Sequence, residues 1–168
     1  MRQENSKLAN GCGCLVLLMC IGVLTAAIVL PSFLTMATNA KQSEAKSYVS
    51  SMNRGQQAYF AEDNAFATSV NALKIGIKTE TINYKYSLRV TKTASAHYAL
   101  PKQSSLKSYV GGVFVVPAKE VYPNAAKDQM KTTSILCIAD DRGIIKPAEP
   151  IYQNGKVVCG KGTTEVTK

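Results

Sequence analysis

The sequence predicts an α+β fold, with a long N-terminal helix, membrane-spanning over its first half, packed on a small antiparallel sheet. Three observations predict it. No charged residue occurs between Lys7 and Lys41, and residues 15–34 are almost wholly apolar. Residues 35–60 lack proline and place apolar or aromatic side chains three and four positions apart. From Tyr84 onward, short segments alternate apolar and polar residues or run continuously apolar. A long helix followed by strands is the order of an α+β domain with an antiparallel sheet.

The apolar run comes first. About 20 apolar residues suffice to cross a bilayer core as a helix. A cleaved signal peptide has a shorter apolar stretch and a small-residue site. Such a site exists at Thr25-Ala26-Ala27, but the apolar residues continue past it, which favours a retained anchor over residues 14–36. Residues 1–13 form a leader-like segment with Arg2 and Lys7 against Glu4. The positive-inside rule leaves that end in the cytoplasm and sends the C-terminal domain across the inner (plasma) membrane.

The helical pattern continues over residues 37–62. Ala45, Tyr48, Val49, Met52 and Tyr59 fall on one face, and Lys41, Glu44, Lys46 and Arg54 fall elsewhere. One helix from Cys14 to Phe60 would be roughly 70 Å long. Pro31 lies inside it, where a missing N–H predicts a kink; the other reading ends the helix there.

Residues 63–168 are the expected sheet region. Glu62-Asp63-Asn64 signals a turn, Ser69 caps a short helix through Leu73, and Gly76 ends it. Tyr84–Val90 alternates cleanly as a half-buried strand. His97–Leu100, Tyr109–Val116 and Ser134–Ala139 follow as strands, Asp140-Asp141-Arg142-Gly143 as a turn, and Lys156–Cys159 as the final strand. Gly111-Gly112 inside an apolar strand signals a bulge or close packing.

Five cysteines fall into two groups. Cys137 and Cys159 read as a disulfide of an exported domain. Cys12, Cys14 and Cys20 have no His or carboxylate nearby and read as small apolar filling.

Charge bears on partners. The chain carries a net +9, and residues 41–168 hold 18 basic and 10 acidic residues. A basic exterior favours an anionic ligand such as DNA or polysaccharide, or serves solubility alone, since no window holds a dense basic block. Chemistry-bearing patterns are sparse. His97, the single histidine, has no acid or nucleophile paired with it in sequence; it reads as a surface or strand residue. There is no phosphate-binding glycine loop and no metal-ligand spacing. No cofactor, metal site or catalytic residue is expected.

The stretch from Ile21 to Leu34, IGVLTAAIVLPSFL, resembles the N-terminal helix of type IV pilins and secretion pseudopilins. The following AKQSEAKSYVSSMNRGQQAYFAEDNAFATSVNAL resembles the helix and first loop of the cyanobacterial pilin-like proteins called the G/H family. Cys137 and Cys159 resemble the C-terminal disulfide region of pilins. The resemblance implies a structural or assembly role rather than an enzyme's, with the membrane and other pilin or pseudopilin subunits as partners through the N-terminal helix. It also implies a processing glycine, for which Gly11 and Gly13 are the candidates. The methylation motif is degenerate. The fifth residue after the cut, an acid in the family, would be Val16 or Leu18. Gly22 and Pro31 are also one residue further apart than in the family. These departures point to a minor or accessory subunit.

Overall fold

The structure, a computed structural model, describes residues 35–121, 124 and 129–166. The chain divides into two compact units, Met1–Ala40 and Lys41–Lys168. Of the first, residues 35–40 are described and are helical. The expected leader at 1–13 and the expected span at 14–36 lie outside the described residues, save 35 and 36. Gly11, Gly13, Pro31 and the three early cysteines lie outside them too. No helix among the described residues is long and apolar enough to cross a membrane.

The second unit opens with helix α1, residues 41–63. It has no proline, and it stops where Asn64 takes a left-handed conformation (φ 52°) and donates its N–H to the Phe60 carbonyl. Ala45, Val49 and Met52 are fully buried. Tyr48 and Tyr59 are partly buried against the same core. The spacing of this stripe comes from the 3.6-residue period of a helix laid on a sheet. Asn53 and Gln56, two polar residues, lie on the stripe and are buried with it.

A 3-10 turn at Asn71–Leu73 leads to the strands. Ser69, expected as the cap, accepts from the Ala72 N–H at 3.2 Å, but the N-cap position is Val70, one residue later. Lys74 ends the turn, left-handed at φ 51°, where Gly76 had been expected to do so. The strands are β1 (Tyr84–Val90), β2 (Ala94–Pro101), β3 (Lys107–Pro117), β4 (Met130–Arg142), β5 (Ile151–Gln153), β6 (Lys156–Val158) and β7 (Thr163–Glu165). A short helix α2, Ala118–Val121, follows β3. The main sheet has the order β1-β2-β3-β4-β7 and is antiparallel throughout. β5 and β6 form a separate hairpin.

One helix on an antiparallel sheet is the expected α+β class. Other details also differ from expectation. Asp140 and Asp141 are strand residues, because β4 continues through Arg142 and only Gly143 (φ 138°) turns. Asp140 is held there by Thr164, whose hydroxyl donates to Oδ1 at 2.6 Å. β6 is not the last strand, and it stops before Cys159. β7 follows it and pairs with Cys137–Ala139 of β4.

Each face of the sheet has its own core. The α1 side joins Ala45, Val49 and Met52 to Tyr84, Tyr86, Ala99, Leu106 and Tyr109. The opposite side joins Ala96, Tyr98, Val110, Ile135 and Cys137, with Val157 and Cys159 packed over them. Asn53 and Val49 of α1 pack directly onto Gly111. A Cβ there would overlap Asn53 Oδ1 and lie 2.7 Å from Val49 Cγ1. The glycine pair therefore signals close packing, not a bulge.

Candidate functional site

Hydrogen bonds of 3.0 Å or shorter tie α1 to the sheet region at two places. At its start, the Glu44 carboxylate accepts from Thr81 Oγ1 at 2.6 Å, Asn83 Nδ2 at 2.9 Å and the Tyr86 hydroxyl at 3.0 Å. Burial pushes the Glu44 carboxyl up, but the three bonds outweigh it and hold its pKa below the ordinary value. Further along, Asn53 Nδ2 donates to the Ile135 carbonyl at 2.8 Å, which leaves Oδ1 to accept from His97 Nδ1 at 2.7 Å. His97 Nε2 then accepts from Ser95 Oγ at 2.7 Å.

Ser95, His97 and Asn53 have the order of donors that activates a hydroxyl in hydrolases. Their burial speaks for a different role. Ser95 is 1% exposed, His97 0% and Asn53 5%, the first two on the sheet and the third on the covering face of α1. Burial alone pushes the His97 pKa down to about 3, so the ring stays neutral and serves as a rigid link. His97 is thus the strand residue of the two sequence-based options, and its partners come from distant positions. Gln56 does similar work. Its amide bonds both the N–H and the C=O of Ala67, at 2.9 and 2.7 Å, and ties the first loop to the helix.

The opposite face is held by chemistry of another kind. Cys137 and Cys159 form a disulfide with 5.8 Å between their Cα atoms, which fastens the end of the β5–β6 hairpin to β4. The loop before the hairpin is pinned by Glu149, which pairs with Arg89 and accepts from the Tyr98 hydroxyl. Lys146 lies over the Tyr98 ring at 4.4 Å. Among the described residues, no group of His, Cys, Asp and Glu could hold a metal ion.

A helix laid on an antiparallel meander, closed by a C-terminal disulfide, invites comparison with known families. The family model Type IV pilin-like G and H matches residues 42–160. The chain belongs to this pilin-like family. No curated protein and no solved structure gives a match. The family match begins within the first turn of α1 and ends just past Cys159, so it takes in the disulfide and leaves β7 outside.

In the pilin-like domain, of the sequence-derived site residues only Cys137 and Cys159 are described, and they are joined. The residues that sequence reasoning missed are Glu44, Asn53 and Gln56. A signal for two of them was present. Asn53 lies four positions after Val49, and Gln56 four after Met52. Both therefore belong to the buried stripe by spacing, although not by polarity.

Proposed function

We propose that this pilin-like protein is an anchored subunit with a structural or assembly role, a minor pilin or pseudopilin of a type IV pilus or a related secretion machine. The observation that carries the reading is the juxtaposition of a family domain starting at residue 42 with an uncharged run between Lys7 and Lys41 immediately before it. In this reading residues 14–36 span the inner membrane once as a helix. The N-terminus is cytoplasmic, and the domain is periplasmic or extracellular. Neighbouring subunits are met through the N-terminal helix.

The apolar run contains no acid. A carboxylate in lipid is costly without a partner, so an anchor lacking one rests in the bilayer at lower cost. Processing at Gly11 or Gly13 is accordingly inefficient, and the subunit is scarce in any shaft. Mass spectrometry of the native protein, with fractionation of sheared pili, tests this. A chain retaining Met1–Gly13, co-purifying with pilus or secretion proteins in the membrane, is expected. An abundant mature chain beginning at Cys12 or Cys14 and spread along sheared pili overturns the accessory role.

A second reading is an anchored module that binds an anionic ligand, DNA or polysaccharide. It is favoured by the 18 basic and 10 acidic residues from Lys41 onward. Binding of DNA or an acidic glycan that falls steeply with salt would support it; binding indifferent to salt would not.

A further inference from the structure

Three chain segments and the start of α1 meet at one end of the sheet. The Lys102 N–H donates to the Asn83 carbonyl at 2.8 Å, which joins residues 79–83 to the β2–β3 loop. The Gly143 N–H donates to the Leu106 carbonyl at 3.0 Å, which joins that loop to residues 143–145 after β4. α1 begins over the same segments. Lys41 Nζ donates to Gln103 Oε1 at 3.2 Å, and Glu44 accepts from Thr81 and Asn83. The pair Pro117↔Met130, which the chain joins through residues 118–129, is at the other end of the sheet. β4 separates the two ends by roughly 40 Å at 3.4 Å per residue. β7 runs from Thr163 beside Ala139 to Glu165 beside Cys137, away from Arg142. From Lys41 onward, the end beside the start of α1 is therefore built of described residues.

Isoleucines stand out from this end. Ile82 is 85% exposed, Ile144 64% and Ile145 59%. All three lie outside the strands, in segments that adjoin one another. Single exposed apolar side chains are ordinary, but a group of them at one end marks a contact surface. Charge at this end is balanced although the domain is basic. Across residues 79–83, 102–107 and 140–145, Lys102, Lys107 and Arg142 stand against Glu80, Asp140 and Asp141, and Glu80 pairs with Lys102. An anionic ligand would gain little here. The chemistry suits an apolar layer bordered by polar groups.

Chain connectivity selects the occupant. In the anchored reading the span ends at residue 36, and five chain steps keep Lys41 within roughly 18 Å of it even when fully extended. The headgroup layer fills roughly 5–8 Å of that distance on each side of the hydrocarbon core. The end of the domain that carries Lys41 is thus the end held at the bilayer. We infer that it rests on the membrane, with Ile82, Ile144 and Ile145 entering the headgroup/acyl boundary on the outer side of the bilayer that holds the anchor. The inference rests on the anchored reading and adds a second attachment to it. The tether makes the contact intramolecular, so three side chains suffice where a free domain would not stay bound. Lys102 and Arg142, exposed beside the isoleucines, keep their charged heads among the lipid phosphates. Two attachments fix the rotation of the domain about its anchor and present it to neighbouring subunits in one orientation.

The chain contains no tryptophan, so a single introduced indole reports its own surroundings. The test uses the full chain in phosphatidylcholine vesicles, with and without bromine on the acyl chains, and measures flotation with the vesicles on the same samples. Ile82→Trp and Ile144→Trp should each lose roughly half or more of their emission to the brominated lipid, as for a side chain about 5–10 Å into the headgroup/acyl boundary. Met130→Trp, exposed at the far end of the sheet, should lose none. Adding Ile82→Asp and Ile145→Asp to Ile144→Trp changes exposed positions only and should restore the emission. A chain that floats while either indole stays unquenched overturns the inference and leaves the anchorage standing. A chain that does not float overturns both. Quenching that survives the two aspartates, or that is equal at Met130→Trp, overturns the inference too. So does a blue shift at Ile144→Trp that grows with the protein-to-lipid ratio without bromine quenching, which would assign this end to a second copy.

Discussion

Replacing Gly111 by alanine puts a methyl group where Asn53 Oδ1 already sits. The neighbour cannot simply withdraw, because Asn53 is held by Ile135 on one side and His97 on the other. Overpacking of this kind typically costs about 1–3 kcal/mol, and losing the bonds adds to it. Gly111→Ala should therefore lower the denaturant midpoint of the full chain clearly, whereas Gly155→Ala in the hairpin turn meets no atom within 4 Å and bears only the strain of its positive φ. His97 makes a pH prediction. Its folded pKa is depressed by burial to about 3 from an ordinary 6.5. The unfolded chain takes up a proton below 6.5 that the native protein refuses. Stability is complete above pH 6.5 and declines as pH falls toward 3, by up to about 1.4 kcal/mol per pH unit. His97→Gln should be less stable at pH 7 and show a shallower decline between pH 6 and 4; parallel curves for the two proteins would contradict the assignment. At this scale the sequence was partly legible. The Gly111-Gly112 pair in an apolar run signalled a bulge or close packing, and the second holds. The burial of His97 was not legible, because Ser95 and His97 alternate with Ala96 and Tyr98 in the manner of a solvent-facing polar set, and the partner Asn53 that covers them lies 44 positions away.

Among the elements, the β5–β6 hairpin is the one held least by its own sequence. Its strands are three residues each, too short to stand alone in water. The disulfide fastens its end to β4 across a separation of 22 residues. Closing a loop of that size is worth roughly 3 kcal/mol in the chain-entropy account. Reduction, or the paired change Cys137→Ala and Cys159→Ala, should lower the melting temperature of the domain by roughly 10 °C. The loss should be accompanied by faster hydrogen exchange over residues 151–158, while α1 stays protected. Uniform loss of protection would mean that the bridge supports the whole domain rather than this element. Elements were legible where their pattern is long. Tyr84–Val90 and the stripe of α1 follow from period two and period 3.6 over seven residues or more. β7 was not legible, since Thr163–Glu165 spans only three residues after Gly160 and Gly162, and it becomes a strand by pairing with β4. The Asp140-Asp141 pair misled for the same reason. Its local signal is for a turn, and the tertiary partners Thr164 and Lys107, which donates to the Asp140 carbonyl at 2.7 Å, keep it in the sheet.

At the scale of the molecule, two distributions bear on where the domain resides, and they are independent of one another. Arg2 and Lys7 face a single Glu4 ahead of the apolar run, which favours retention of that end in the cytoplasm. Far along the chain, Cys137 and Cys159 are paired, and such bridges occur mostly in oxidising compartments. The basic balance of residues 41–168 does not oppose this, because long domains cross largely regardless of charge. The proposed anchorage therefore predicts opposite fates for the two ends. Protease added to cells stripped of any outer envelope should digest the domain and spare an epitope placed before Lys7. Thiol alkylation in the same intact cells, without reductant, should leave Cys137 and Cys159 unlabelled, and labelling should appear only after reduction. A domain protected from protease and carrying two free thiols would place it in the cytoplasm. That result would remove the anchored-subunit reading while leaving membership of the pilin-like family untouched.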